Sequence, residues 1–87
     1  MFGEQSVVVT THTYELPQVD VFNTRGEAEN YMRNEANRIV EKLKKDKYYH
    51  DVVKTETTTG WRITYKSTSL DYYIELSVAG WYSVHDN

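Results

Sequence analysis

The sequence predicts an α+β domain of β-α-β-β-β order: a mainly antiparallel sheet with one long helix packed on one face. Three observations carry that expectation. A β-branched run opens the chain, one apolar stripe at helical spacing follows it, and two alternating strands close it with charges that match across their hairpin. The whole of 1–87 reads as one small domain, since a chain of this length encloses a single modest core.

Ser6 to Tyr14 (SVVVTTHTY) is rich in Val and Thr and reads as the first strand. Leu16-Pro17 interrupts it, because proline has no N–H to give to a ladder. Val19 to Phe22 is then either a continuation after a kink or an extended lead into the helix. Thr24-Arg25-Gly26-Glu27 fits a capping box, and the helix runs from Arg25 to about Lys45. Ala28, Tyr31, Met32, Ala36, Ile39, Val40 and Leu43 fall on one stripe. Glu27 and Glu29 near the start, and Lys42, Lys44, Lys45 and Lys47 near the end, suit the helix dipole.

Three strands follow, at about Tyr49 to Thr57, Trp61 to Ser67 and Leu70 to Val78. Alternation puts Trp61, Ile63, Tyr65, Leu70, Tyr72, Ile74, Leu76 and Val78 inside, and Arg62, Thr64, Lys66, Asp71, Tyr73, Glu75 and Ser77 outside. Pairing Lys66 with Asp71, Thr64 with Tyr73 and Arg62 with Glu75 matches charges outside and apolar residues inside. For the preceding hairpin, a Thr58-Thr59-Gly60 loop with Gly60 left-handed sets Glu56 opposite Arg62 and Val53 opposite Tyr65. The first strand lies either parallel beside the strand after the helix or along the last strand. The tail Gly80-Trp81-Tyr82-Ser83-Val84 is aromatic enough to dock on the domain or on a partner.

Composition narrows the function classes. Ten basic against thirteen acidic residues give a net charge of -3, which argues against a generic nucleic-acid binder. The absence of cysteine removes disulfides, thiolate zinc sites and cysteine nucleophiles. No run approaches the ~18 apolar residues of a membrane span, and the start lacks the pattern of a signal peptide. A soluble cytoplasmic domain is the expectation, with no membrane association.

No phosphate-cradling glycine loop, nucleophile elbow or metal-ligand spacing is present. His50-Asp51 and His85-Asp86 are adjacent pairs, and adjacency in a strand sends the two side chains to opposite faces. No enzyme activity, cofactor, metal site or catalytic residue is therefore expected. The lysine-rich end of the helix reads as a solvated, dipole-matched face.

Twelve aromatics remain, eight of them tyrosine. Tyr31, Trp61, Tyr65 and Tyr72 fall on inward positions. Tyr73 stands on the outer face, Tyr48-Tyr49 must split between faces if they lie in a strand, and Trp81-Tyr82 lie beyond the last strand. With Arg62 and Lys66 they form the candidate partner-binding set, because exposed Tyr and Trp are enriched at interfaces. A protein partner is the expectation, with a homodimer through a sheet edge as one form of it. Small, acidic, cysteine-free domains rich in Tyr and Asn resemble accessory proteins of phages and mobile elements. That likeness implies a protein that binds and inhibits a host or defence enzyme. The alternative is single-stranded nucleic-acid binding, with bases stacked on the aromatics and phosphates held by Arg62, Lys66 and Lys54. Helix-then-three-strands also resembles part of a double-stranded-RNA-binding domain, without its second helix or a basic cluster at the helix start. Glu56, Asp71 and Glu75 would repel phosphate from the same face, so nucleic acid is the disfavoured partner.

Overall fold

The β-branched start of the chain acquires two strand neighbours rather than one. In a computed structural model that describes residues 7–13 and 15–79, the elements are β1 (Val7–His12), β2 (Gln18–Phe22), α1 (Arg25–Lys45), β3 (His50–Glu56), β4 (Gly60–Ser67) and β5 (Leu70–Ala79). The order is β-β-α-β-β-β, one strand more than the sequence predicts. Pro17 falls in a connection between two strands, and Val19 to Phe22 turns back on β1 as a hairpin, from Val7↔Phe22 to Thr11↔Gln18. The other side of β1 pairs antiparallel with β5, so the sheet order is β2-β1-β5-β4-β3. The first strand thus takes the second of its two expected places, and Val7 and Val9 are fully enclosed there.

Helix α1 starts where Thr24 Oγ1 accepts the Glu27 N–H at 3.1 Å. It ends where the Asp46 N–H bonds to the Leu43 carbonyl, and Asp46 then accepts the N–H of Tyr48 and of Tyr49. Those three bonds reverse the chain into β3. Ala28, Met32, Ala36 and Leu43 are the buried stripe, packed on Val7, Val9, Ile63, Tyr65, Ile74, Leu76 and Val78. The helix's ion pairs are Arg25–Glu29 and Glu35–Arg38. Arg33 donates to Asn30 Oδ1 rather than to Glu29 one turn before it.

The β4–β5 register is the one charge matching predicts, with Arg62↔Glu75, Thr64↔Tyr73 and Lys66↔Asp71. Leu70, expected inside, is instead exposed, because it opens β5 at the hairpin turn, opposite the last residue of β4. The β3–β4 register differs by one residue: Glu56 faces Trp61, Thr55 faces Arg62 and Val53 faces Thr64. The Thr57 N–H bonds to the Gly60 carbonyl and the Gly60 N–H to Thr57 Oγ1, both at 2.9 Å, so the turn closes one residue earlier than expected. A one-residue slip exchanges the two faces of a strand. Val53 therefore points outward, and Lys54 lies on the helix side, hydrogen-bonded to Asn37 and 4.9 Å from the Trp61 ring centroid. Gly60 is not left-handed; close approach to β5 is what excludes a side chain there. A bulge between His50 and Val53, with Asp51 at φ 55°, then realigns the strand with Lys66.

Tyr31, on α1, donates to Asp20 Oδ2 of β2 at 3.1 Å and lies 5.0 Å from the Phe22 ring. Burial, then the hydrogen bond to Asp20, pushes its hydroxyl pKa up to about 12 from 10. The folded state thus holds this proton more tightly than the unfolded chain. Its contribution is complete below pH 10 and is lost as pH rises towards about 12. In an absorbance titration at the phenolate band, wild type should show a late-ionising tyrosine that Tyr31→Phe removes.

Candidate protein-interaction surface

Helix α1 covers one face of the five-stranded sheet. Among the described residues nothing packs on the other, and antiparallel pairing places its side chains in rows. One row runs His12–Glu75–Arg62–Thr55, and the next Tyr73–Thr64–Val53. Beyond them lies Lys66 between Asp71 and His50, and on the opposite side Val19–Thr10–Ser77 and Val21–Val8.

Tyr73 is the centre of this face. Its ring is 46% exposed as a residue, with the Arg62 guanidinium 5.5 Å and the His12 ring 5.9 Å from its centroid. Arg62 Nη2 also donates to Glu75 Oε2 at 3.1 Å, so one cation is held by a carboxylate and a π-face together. Such a clamp restricts the rotamers of Tyr73 and lowers the entropy lost on docking. Lys66 approaches Asp71 at 4.0 Å, so the basic groups of the face are matched by acidic ones. Hollows of about 310 Å³ and 150 Å³ flank Tyr73, the first bounded by Asp51, Lys66 and Tyr72 and the second by His12, Thr13 and Asp71.

The structure brings three of the predicted partner residues together, Tyr73, Arg62 and Lys66. Tyr48 and Tyr49 are elsewhere. They precede β3 rather than lying in it, so the expected split of their rings between sheet faces does not arise. Tyr48 is exposed at the turn, whereas Tyr49 packs edge-on to Tyr65, which stacks on Tyr72. Trp81 and Tyr82, and the whole expected docking tail, lie outside the described residues, as does His85-Asp86. His50 and Asp51 do touch, at 3.4 Å, contrary to the alternation rule. The positive φ of Asp51 breaks that alternation, and both groups remain exposed. No group of His, Asp and Glu among the described residues could hold a metal ion.

Sequence reasoning missed His12, Val53, Val19 and Val21 on this face. The first needs the β1–β5 pairing, the second the shifted register, and the last two the β1–β2 hairpin. It also missed a cleft of about 500 Å³ on the helix side, where Thr11, Arg38, Lys42, Leu43 and Ile74 meet. Arg38 is tied there to Glu35, whose carboxyl it holds below the usual range.

The molecule thus defines a class by architecture, a helix-backed antiparallel sheet whose other face, uncovered among the described residues, mixes aromatic, aliphatic and charged side chains. No known protein family, no curated protein and no solved structure matches the chain. No described helix is long and apolar enough to cross a membrane.

Proposed function

We propose that the protein is a non-enzymatic interaction module that docks a protein partner on the open sheet face around Tyr73. The observation that carries this reading is the composition of that face. Tyr73, Val53, Val19 and Val21 are all exposed on it, while its charges are paired locally. A surface on which exposed aromatic and aliphatic side chains flank a row of locally paired charges suits a protein interface better than a solvated sheet does.

Nucleic-acid binding has less support. Lys54 lies on the helix side, and Arg62 and Lys66 each have a carboxylate partner. A phosphate backbone therefore meets little uncompensated charge on this face. The compositional likeness to phage accessory domains makes inhibition of a host or defence enzyme the specific form of docking proposed.

Affinity capture with matched variants tests the reading. Tyr73→Lys should abolish retention of a partner that wild type holds, and Arg33→Glu on the exposed helix face should leave it unchanged. Loss with Arg33→Glu and retention with Tyr73→Lys would move the interface to the helix side.

A further inference from the structure

The two edges of the sheet are built differently. Edge strand β3 is blunted by a bulge at a left-handed Asp51 and by the charged side chains of Asp51, Lys54 and Glu56. These are the devices that keep an edge from pairing with another chain. Edge strand β2 (QVDVF) carries no bulge, no lysine and no arginine. Its border is also the most apolar exposed stretch of the described chain: Leu16 is 89%, Val19 59% and Val21 48% exposed.

We propose that β2 pairs antiparallel with β2 of a second copy, across a two-fold axis at Val19, joining two sheets into one. Symmetric pairing about an axis normal to the sheet makes one residue face its own copy, and the choice of residue is decided by side-chain chemistry. An axis at Asp20 sets carboxylate against carboxylate, which destabilises a pair directly opposite. An axis at Val21 sets Asp20 against Phe22. An axis at Val19 sets Val19 against Val19 on the open face and Gln18 against Asp20 of the second copy on the helix face. Amide against carboxylate is a pairing the strand already makes within itself, Gln18 Nε2 donating to Asp20 Oδ2 at 3.1 Å. Leu16 and Val21 then border the seam instead of water.

This geometry places both helices on one side and both open faces on the other. The dimer would present two Tyr73 clusters in one continuous surface, suited to a two-fold or repetitive partner. An interface of one short edge falls below the roughly 1,200 Å² of stable complexes, so association is weak and concentration-dependent.

Sedimentation equilibrium between about 5 and about 500 µM tests it, a range matched to so small an interface. The apparent mass of wild type should rise from 10.3 kDa towards twice that value. Val19→Lys opposes two ammonium groups on the axis and should remain monomeric with an unchanged melting temperature. Val53→Lys, at the other edge, and Tyr73→Lys, on the face, should self-associate as wild type does. In this cysteine-free chain, oxidation of Val19→Cys should give a disulfide dimer and Val53→Cys should not. Wild type at monomer mass throughout, or Val19→Lys associating as wild type, overturns the proposal and leaves the β2 edge to an extended segment of another protein. Because Tyr73→Lys is scored here separately from partner capture, failure of the dimer and failure of the open-face reading give different results.

Discussion

Gly60→Ala is expected to cost about 3 kcal/mol or more, the upper end of overpacking effects. A Cβ at Gly60 would lie 2.0 Å from the carbonyl oxygen of Leu76 and 2.9 Å from Met32 Sδ. The methionine sulfur is the end of a flexible chain and can withdraw. The Leu76 carbonyl belongs to the backbone of β5, which is hydrogen-bonded on both sides in the middle of the sheet. Relief therefore requires β4 and β5 to separate at the point where the Val78 N–H also bonds to the Thr59 carbonyl. For a domain of this size the loss corresponds to a melting temperature roughly 12–24 °C lower. A drop of less than about 4 °C would mean that the two strands do not approach as described.

Leu76→Ala is expected to cost about 3 kcal/mol, within the range of about 2–5 for leucine deletions in enclosed sites. Leu76 is fully buried on β5, opposite Trp61 of β4 and Thr11 of β1. Rigid strands on both sides limit collapse into the space left behind. Leu70→Ala provides the contrast. It removes the same atoms from an exposed position and should change stability by about 0.5 kcal/mol at most. Urea unfolding measures both, with midpoints that differ and slopes that do not. Equal midpoints for the two variants would contradict the burial of Leu76 and the exposure of Leu70 along β5.

The same comparison shows which parts of the architecture are written locally. The helix was readable to its ends because capping, stripe and dipole all act within a few residues, and Thr24, Leu43 and the basic last turn of Lys42, Lys44 and Lys45 bear out each in turn. The β4–β5 hairpin was equally readable, since its charges sit opposite one another across a short turn. The β3–β4 register was not, because matching Glu56 to Arg62 fits the charges as well as the observed pairing fits the hydrogen bonds of Thr57. Thr57 Oγ1 decided it, a contact no charge pattern encodes. Strand β2 was hidden by Pro17, which ends a strand but says nothing of whether the chain then turns back. The candidate face inherited these limits. Tyr73, Arg62 and Lys66 came from the one hairpin whose register was legible. His12 joins them only through pairing between residues far apart in sequence.

Inhibition of an enzyme and simple tethering to a partner make the same demand on this face, that Tyr73 become covered. Hydroxyl-radical footprinting of the protein alone and in complex with a captured partner measures that directly. Tyr48, exposed at the end of the helix and away from the open face, is the internal control. The open-face account predicts that oxidation of Tyr73 falls several-fold in the complex while oxidation of Tyr48 is unchanged. Protection of Tyr48 with Tyr73 still fully reactive would contradict it.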